Sequence, residues 1–299
     1  MKFYDDTRAA RPLIEETIRK FGYAPEHHVD WYEDCADAES RNVFVLGDHG
    51  DGLLTSVERA STHVFSSPIA SEPRRAAILV EYAEEMFRSS DIKKIWLELE
   101  TPVRKELLKA LPESCKANSI AYTLTWPIMD LRAFDPALPG GHYKYLRKAK
   151  HRFYRSHAVA VVDAKTFDDR QGLHRIVDEW RRKRKAHDRA WFTRYHRIID
   201  NGFAGTTEAR VFMVDGVPAG FNAGWMIPNS DRYYGAVGIH DYLTSDVGLM
   251  LYLEDLEWLK ARGYGEADMA GGEKALTAFK DEFLPASYYK THVFSVVRR

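Results

Sequence analysis

Two cysteines in 299 residues, Cys35 and Cys115, stand far apart in the chain. They fit neither a disulfide framework nor a zinc knuckle, and neither has the local context of a catalytic nucleophile. No apolar run approaches the ~18 residues a membrane-spanning helix needs. The opening stretch, MKFYDDTRAARPLIEETIRKF, is charged throughout and lacks the apolar core of a signal peptide. A soluble, cytoplasmic protein is the expectation. GxGxxG, GxxxxGK[ST] and GxSxG are all missing, which leaves nucleotide loops and a serine-hydrolase elbow unsupported. His27-His28 and the turn Asp48 to Asp51 offer metal-ligating atoms, but no spacing matches a metal site. What is present is ordinary globular material: 45% hydrophobic, 29% charged and 13% aromatic residues, enough for two domains.

The formal net charge of −1 hides an asymmetry. Residues 1–130 hold 16 basic and 23 acidic side chains, and residues 131–299 hold 27 and 21. Within 141–199 the count is 17 basic to 6 acidic. Such an island points either to a local polyanionic partner or to a solvated Lys/Arg-rich helix face.

Leu13, Ile14, Ile18 and Phe21 fall at helical spacing, and Asn42–Leu46 and Leu53–Val57 read as strands around the GDHGDG turn. Pro73 precedes a helix in RRAAILVEYAEEMF; Ile95–Leu99 alternates as a strand, Val103–Leu111 is helical, and Tyr122–Met129 is a strand. The segment Leu131–Gly141, with two prolines and two glycines and no hydrophobic period, divides the chain into domains 1–135 and 136–299. Beyond it come a basic helix (HYKYLRKAKHRFYRSH), a strand at Val159–Val162 and a long helix from Phe167 to Lys185. A hairpin turns at Asp215-Gly216, followed by a strand at Tyr233–Ile239 and a helix at Leu249–Arg262. Gly265–Ala270 reads as a strand, Glu273–Phe283 as a helix and His292–Val297 as a last strand. The halves echo each other, so the expectation is a mixed α/β (α+β) fold made of two copies of one unit.

Several segments carry a family resemblance: YTLTWPIMDL (Tyr122–Leu131) leading into LRKAKHRFY (Leu146–Tyr154), Trp180 with Lys183 and Lys185, and GGEKALTAFKDEFLP (Gly271–Pro285). In their order and spacing they resemble the Fem-like branch of the GNAT superfamily, and within it the C-terminal domain of bacterial phosphatidylglycerol lysyltransferases. The resemblance spans about residues 40–299. It implies two tandem GNAT-like domains, the active site in the second, and transfer of an aminoacyl group from aminoacyl-tRNA to an amine or hydroxyl. Without the family's membrane-embedded part in the sequence, a small water-soluble acceptor is expected. The (Q/R)xxGxG/A pyrophosphate loop of acyl-CoA-using relatives is missing, LTSDVG (Leu243–Gly248) standing in its place. That absence counts against acyl-CoA; an acyl-CoA-dependent N-acyltransferase is the alternative, and a non-catalytic RNA- or membrane-binding relative a third possibility. No cofactor is expected beyond the co-substrate.

The resemblance makes Lys280 the residue expected beside the transferred ester; otherwise it reads as a surface lysine of an amphipathic helix. An oriented cation at a developing oxyanion lowers the barrier by a few kcal/mol. Asp246, near a helix start, suits a cationic amino group, and His240 has the pKa of a general base. Thr244 and Ser245 read as N-caps or substrate contacts. Asp268, Trp225 and Tyr234 are candidates for the substrate pocket, the aromatics reading equally well as core. Lys144, Arg147, Lys148, Lys150 and Arg152, with Arg181, Arg182, Lys183, Arg184 and Lys185, form the expected tRNA surface; Tyr143, Tyr145, Phe153 and Tyr154 offer stacking faces.

Overall fold

The first helical period folds as α1 (Arg11–Phe21) behind a short strand β1 (Lys2–Tyr4), with Pro12 in the first turn, where a missing N–H is harmless. The structure, a computed structural model, describes residues 1–36, 39–184 and 191–299. Helix α2 (Val29–Asp34) is capped by His28, whose Nδ1 accepts from the Trp31 amide at 3.1 Å. Then come β2 (Arg41–Leu46), β3 (Gly52–Glu58), β4 (Ser61–Val64), α3 (Arg75–Ser89), β5 (Lys94–Glu100), α4 (Thr101–Ala110), β6 (Cys115–Ala117) and β7 (Tyr122–Asp130). Past the turns of 131–143 follow α5 (Lys144–Ser156), β8 (Val159–Asp163), α6 (Arg170–Lys183), α7 (Thr193–Asp200), β9 (Glu208–Val214), β10 (Val217–Met226) and β11 (Arg232–His240). Helix α8 (Val247–Ala261), β12 (Glu266–Asp268), α9 (Lys274–Asp281) and β13 (Ser287–Arg298) complete the described elements.

These strands form one mixed sheet in the order β1-β2-β3-β4-β5-β13-β7-β12-β11-β10-β9-β8, with β6 also on β13. The order mirrors itself about its centre. β4 and β5 pair in parallel, and so do β11 and β12. β13 lies antiparallel between β5 and β7, while β7 lies antiparallel to β12. The last strand of each half thus completes the sheet beside the other half's parallel pair.

Both faces of the sheet are covered, so alternating side chains are buried on either side. On one face Ile95, Leu97 and Leu99 of β5 join Phe294 and Val296 of β13 under α3 and α4. Farther along that face, Tyr233, Phe212 and Ala267 pack beneath α5 and α8. The opposite face carries α1 and α2 over Phe44 and Leu54, then α6 and α7 over Val211, Phe221 and Trp225. No helix among the described residues is long and apolar enough to cross a membrane.

Most expected elements form, with shifted ends. The helix expected from Phe167 starts at Arg170, because the Asp169 carboxylate accepts from the Gly172 amide at 2.8 Å and sets the first turn there. The strand expected at Gly265–Ala270 shrinks to three residues, since Ala270 takes a left-handed φ of 66° and turns the chain away. β13 begins five residues earlier than the expected His292, its polar Tyr-Tyr-Lys-Thr segment pairing with β7. β1, α2, β4, β6 and α7 were not anticipated.

Candidate active site

The sheet opens at one place in its second half. β11 and β12 pair only from Arg232–Tyr234 to Glu266–Asp268; β12 then stops while β11 runs on to His240. A narrow cavity lies in the gap, lined by Gly235, Val237 and Gly238 of β11, Tyr252 and Asp255 of α8, and Asp268. Asp268 is fully buried at the edge of this opening. Its Oδ2 accepts from the Tyr289 hydroxyl at 2.7 Å and its Oδ1 from the Ala270 amide at 2.9 Å. Burial pushes its carboxyl up to about 6, against the pull of those hydrogen bonds and of Lys280.

Lys280 sits on the buried side of α9, 1% exposed. Its Nζ donates to the Ala270 carbonyl at 2.9 Å and to the Met269 carbonyl. Burial pulls the ammonium down to about 7, with Asp268 opposing. The lysine expected beside the ester thus holds the turn that follows Asp268.

The second feature is a partly open cluster of polar and aromatic side chains over the centre of the sheet, where the strands exchanged between the halves meet. Trp126 of β7 donates Nε1 to Thr291 Oγ1 of β13 at 2.8 Å, and Thr291 donates to Glu98 Oε1 of β5 at 2.6 Å. The Trp126 and Tyr289 rings stack, 5.4 Å between centroids and 17° between planes. Tyr234 and Trp225 continue the aromatic floor. Overhead, Trp31 Nε1 donates to Glu26 Oε1 at 3.3 Å, and Trp225 Nε1 donates to the Pro25 carbonyl at 2.8 Å. His28 lies against Trp225, centroids 4.1 Å apart. From α7, Arg194 places its guanidinium 4.8 Å over the Trp31 ring.

Glu26 and Glu98 are surrounded by protein yet keep part of their surface open. Burial pushes Glu98 up to about 7, with the like charge of Glu26 adding to it and Thr291 and Arg194 opposing. Glu26 is raised by the same desolvation, with Arg194 pulling against it. Desolvation works against the Arg194 charge too, but Tyr195, Cys35 and Glu26 outweigh it and keep the guanidinium protonated. Two carboxyl groups raised by desolvation and facing an aromatic floor suit a cationic group, and Glu98 suits a base in the neutral range.

Of the residues singled out from sequence, Trp225, Tyr234 and Asp268 come together here, all nearly fully buried. His240 lies at the far end of β11, its ring against Gly248 and Tyr242; burial pulls it down to about 4, and its Nδ1 has no partner. Asp246 takes φ 66° as the N-cap residue of α8, makes no capping bond, and pairs instead with Arg152. The capping expected of Thr244 or Ser245 is not made at that helix start.

The basic surface divides. Lys150 pairs with Glu257, Arg152 with Asp246, and Arg147 donates to the Leu138 and Gly140 carbonyls. Arg182 pairs with Glu179, Arg181 lies 3.6 Å over Phe192 and Arg184 4.3 Å over Trp180. Phe153 is core, Tyr143 is half-buried, and Tyr154 donates to Glu254. Lys144, Tyr145, Lys148, His151 and Arg155 remain exposed along α5, and Lys183 at the end of α6. Lys185 lies outside the described residues.

Glu26, Glu98 and Arg194 are the residues that reasoning from sequence passed over. Comparison with known proteins gives the setting. The sequence matches the family model "Phosphatidylglycerol lysyltransferase, C-terminal" over residues 38–233. The fold is similar to that of L-PGS from Bacillus licheniformis, at 13% identity over 95% of this chain and 90% of that one, TM-score 0.68. It is similar to FemX at 12% identity, 99% and 97% coverage, TM-score 0.63. It is also similar to a tandem GNAT protein from the clavulanic acid biosynthesis pathway, at 14% identity, 99% and 98% coverage, TM-score 0.56. At such identities the likeness is one of fold, a mixed α/β architecture of the GNAT kind. No curated protein matches the sequence.

Proposed function

The chain belongs to the phosphatidylglycerol lysyltransferase C-terminal family, an acyltransferase family, and from that premise we propose that it moves an aminoacyl group from aminoacyl-tRNA to the amine or hydroxyl of a small acceptor. The observation that carries this reading is the Glu26–Glu98 pair in its aromatic cluster. An aminoacyl group differs from a plain acyl group by its α-ammonium, and a half-open carboxylate pair is what an ammonium needs and an acetyl group does not.

In the reaction the acceptor nitrogen or oxygen attacks the ester carbonyl, the new C–N or C–O bond forms, and the bond to the tRNA 3′ or 2′ oxygen breaks. The attacking group's proton passes to a base, and the leaving oxygen takes one up. Glu98, with its carboxyl near 7, suits the base. Tyr289 donates its one hydroxyl proton to Asp268 and is left with an acceptor oxygen. Lys280 acts as a positioning residue, fixing the Met269–Ala270 turn behind Asp268.

We read the mirrored strand order as two copies of a GNAT-like unit, 1–135 and 136–299, that share their closing strands. The exposed basic stripe of α5, with Lys183, is the surface we assign to the tRNA. The acceptor we infer is water-soluble and the setting cytoplasmic; the lipid in the family's name is the competing acceptor.

The test is transfer from a pool of radiolabelled aminoacyl-tRNAs, supplied with a small-molecule extract, with phosphatidylglycerol vesicles, or with neither. RNase-sensitive release of one amino acid into a soluble product supports the reading, and label in the lipid phase replaces the acceptor. No release from any tRNA, with acyl-CoA consumed in a parallel assay, overturns it in favour of an acyl-CoA enzyme.

A further inference from the structure

Arg194 is poorly satisfied for a buried guanidinium. Such a group presents five N–H donors in a planar fork. Arg194 donates to the Tyr195 hydroxyl at 3.1 Å and also interacts with the Cys35 thiol, a weak acceptor. Its Nε is buried with no partner. The plane is held by the Trp31 ring, 4.8 Å away, and the Tyr195 ring, 5.0 Å away. Glu26 is close enough to act on its charge, yet its Oε1 is taken by Trp31 Nε1, and no ion pair joins Glu26 to Arg194 among the described residues. An aromatic cradle fixes the fork, and an unfilled buried donor on a permanent cation is costly unless an anion arrives to take it.

We propose that Arg194 is the anchor of an anion subsite in the central cluster, and that the acceptor carries a carboxylate or phosphate group that docks there. The proposal rests on the aminoacyl-transfer reading for the identity of the ligand as acceptor, though not for the site itself. It gives the cluster two poles. Glu26 and Glu98 take the ammonium of the group being transferred, and Arg194, on the α7 side, takes the acid group of the molecule receiving it. Carboxylate and phosphate share the chemistry, since both match the guanidinium fork with two oxygens. The two poles keep donor and acceptor in separate seats, because an ammonium is repelled where the anion is drawn.

The experiment uses the whole chain with no tRNA present, so it can fail while aminoacyl transfer stands, and transfer can fail while it succeeds. Tryptophan fluorescence is followed as sodium phosphate, sodium acetate or neutral acetamide is added at constant ionic strength; Trp31, beside Arg194, is the reporter. Saturable change with phosphate, acetate or both, and none with acetamide, is expected; the better anion tells which acid group the acceptor bears. Arg194→Gln should weaken that binding by about tenfold or more, and Arg194→Lys should weaken it less, keeping the charge but not the fork. Glu26→Gln should tighten it, because a competing negative charge has gone. Acetamide acting as well as acetate, no saturation with either anion, or weaker anion binding in Glu26→Gln would each overturn the proposal. Should Arg194→Gln not fold, Arg194→Lys and Glu26→Gln still decide it.

Discussion

His174 of α6 and His196 of α7 meet nitrogen to nitrogen, Nδ1 to Nδ1 at 2.8 Å. Their centroids lie 5.1 Å apart with the planes only 19° off parallel, so the rings are edge to edge and nearly coplanar. Beyond each ring stands a carboxylate from the opposite helix: Asp200 Oδ1 is 3.0 Å from His174 Nε2, and Asp178 Oδ1 is 3.5 Å from His196 Nε2. With each Nε2 proton directed at an aspartate, two Nδ1 lone pairs converge, and one shared proton turns that contact from repulsion into a hydrogen bond.

A second proton would set N–H against N–H. Burial holds His196 below its ordinary value; His174 and Arg181 lower it further, and Asp178 and Asp200 pull the other way. A histidine with a lowered pKa binds its proton more readily in the unfolded chain, so its contribution to stability is lost as pH falls from about 6.5 through the folded value. Protection factors of α7 amides, taken against the intrinsic exchange rate at each pH, should therefore fall on acidification below 6.5, and His196→Gln should remove most of that pH dependence. Protection factors in α7 that ignore pH in the wild type would mean the pair is no clasp.

Glu98→Gln separates stability from function. A carboxyl raised to about 7 contributes stability that is intact below the unfolded value and lost as pH rises through 7. The amide keeps an acceptor for the Thr291 hydroxyl. The variant should be more stable than wild type at pH 8, on the order of 1–3 kcal/mol in denaturant unfolding, and equal to it near pH 4. Aminoacyl transfer should fall by 10²-fold or so if Glu98 is the base. Gain of stability with unchanged turnover would leave Glu98 as a strained core residue.

The strands that build this cluster were legible from sequence, but their meeting was not. In Ile-Trp-Leu-Glu-Leu the alternation marks β5 plainly, and it also makes Glu98 look solvent-facing. That inference holds for a sheet with one wet face; here α2 and α7 cover the second. Glu98 meets Thr291 because β13 inserts beside β5, a pairing over 193 residues of sequence that no local pattern announces. Arg194 follows a Lys/Arg-rich run whose charge drew attention to nucleic acid and away from the short helix behind it. Lys280 illustrates the opposite error: its i, i+4 neighbours place it on an amphipathic helix, but its side chain points at the Met269 and Ala270 carbonyls and not into water.

The basic residues should behave as two classes. Lys144→Glu with Lys148→Glu removes exposed charges and should weaken tRNA binding while lowering the slope of log K against log salt by about 2. Lys150→Ala breaks the contact with Glu257 and should mainly reduce stability, by up to about 1 kcal/mol. Filter binding across a salt series distinguishes them, and equal effects on binding would dissolve the distinction.

Lys280→Met preserves bulk and removes the donor. Two carbonyls then lose their partner in a buried place, at a cost of about 2–4 kcal/mol by chemical denaturation. If Lys280 positions the Asp268 turn, kcat should fall with the folded fraction corrected for, and Lys280→Arg should restore neither stability nor rate, since the larger fork does not fit the site. Full activity in folded Lys280→Met would confine the lysine to stability.

During synthesis β5 is made long before β13. Until the chain has grown through residue 298, the strand Lys94–Glu100 shows an unpaired edge toward the place β13 will fill, and β7 waits likewise for β12 and β13. An apolar strand left waiting in this way is a template for wrong partners. Expression of this protein should be sensitive to translation speed and to chaperones that shield strand edges, and truncations that remove β13 should aggregate from the first half and not only lose the last strand.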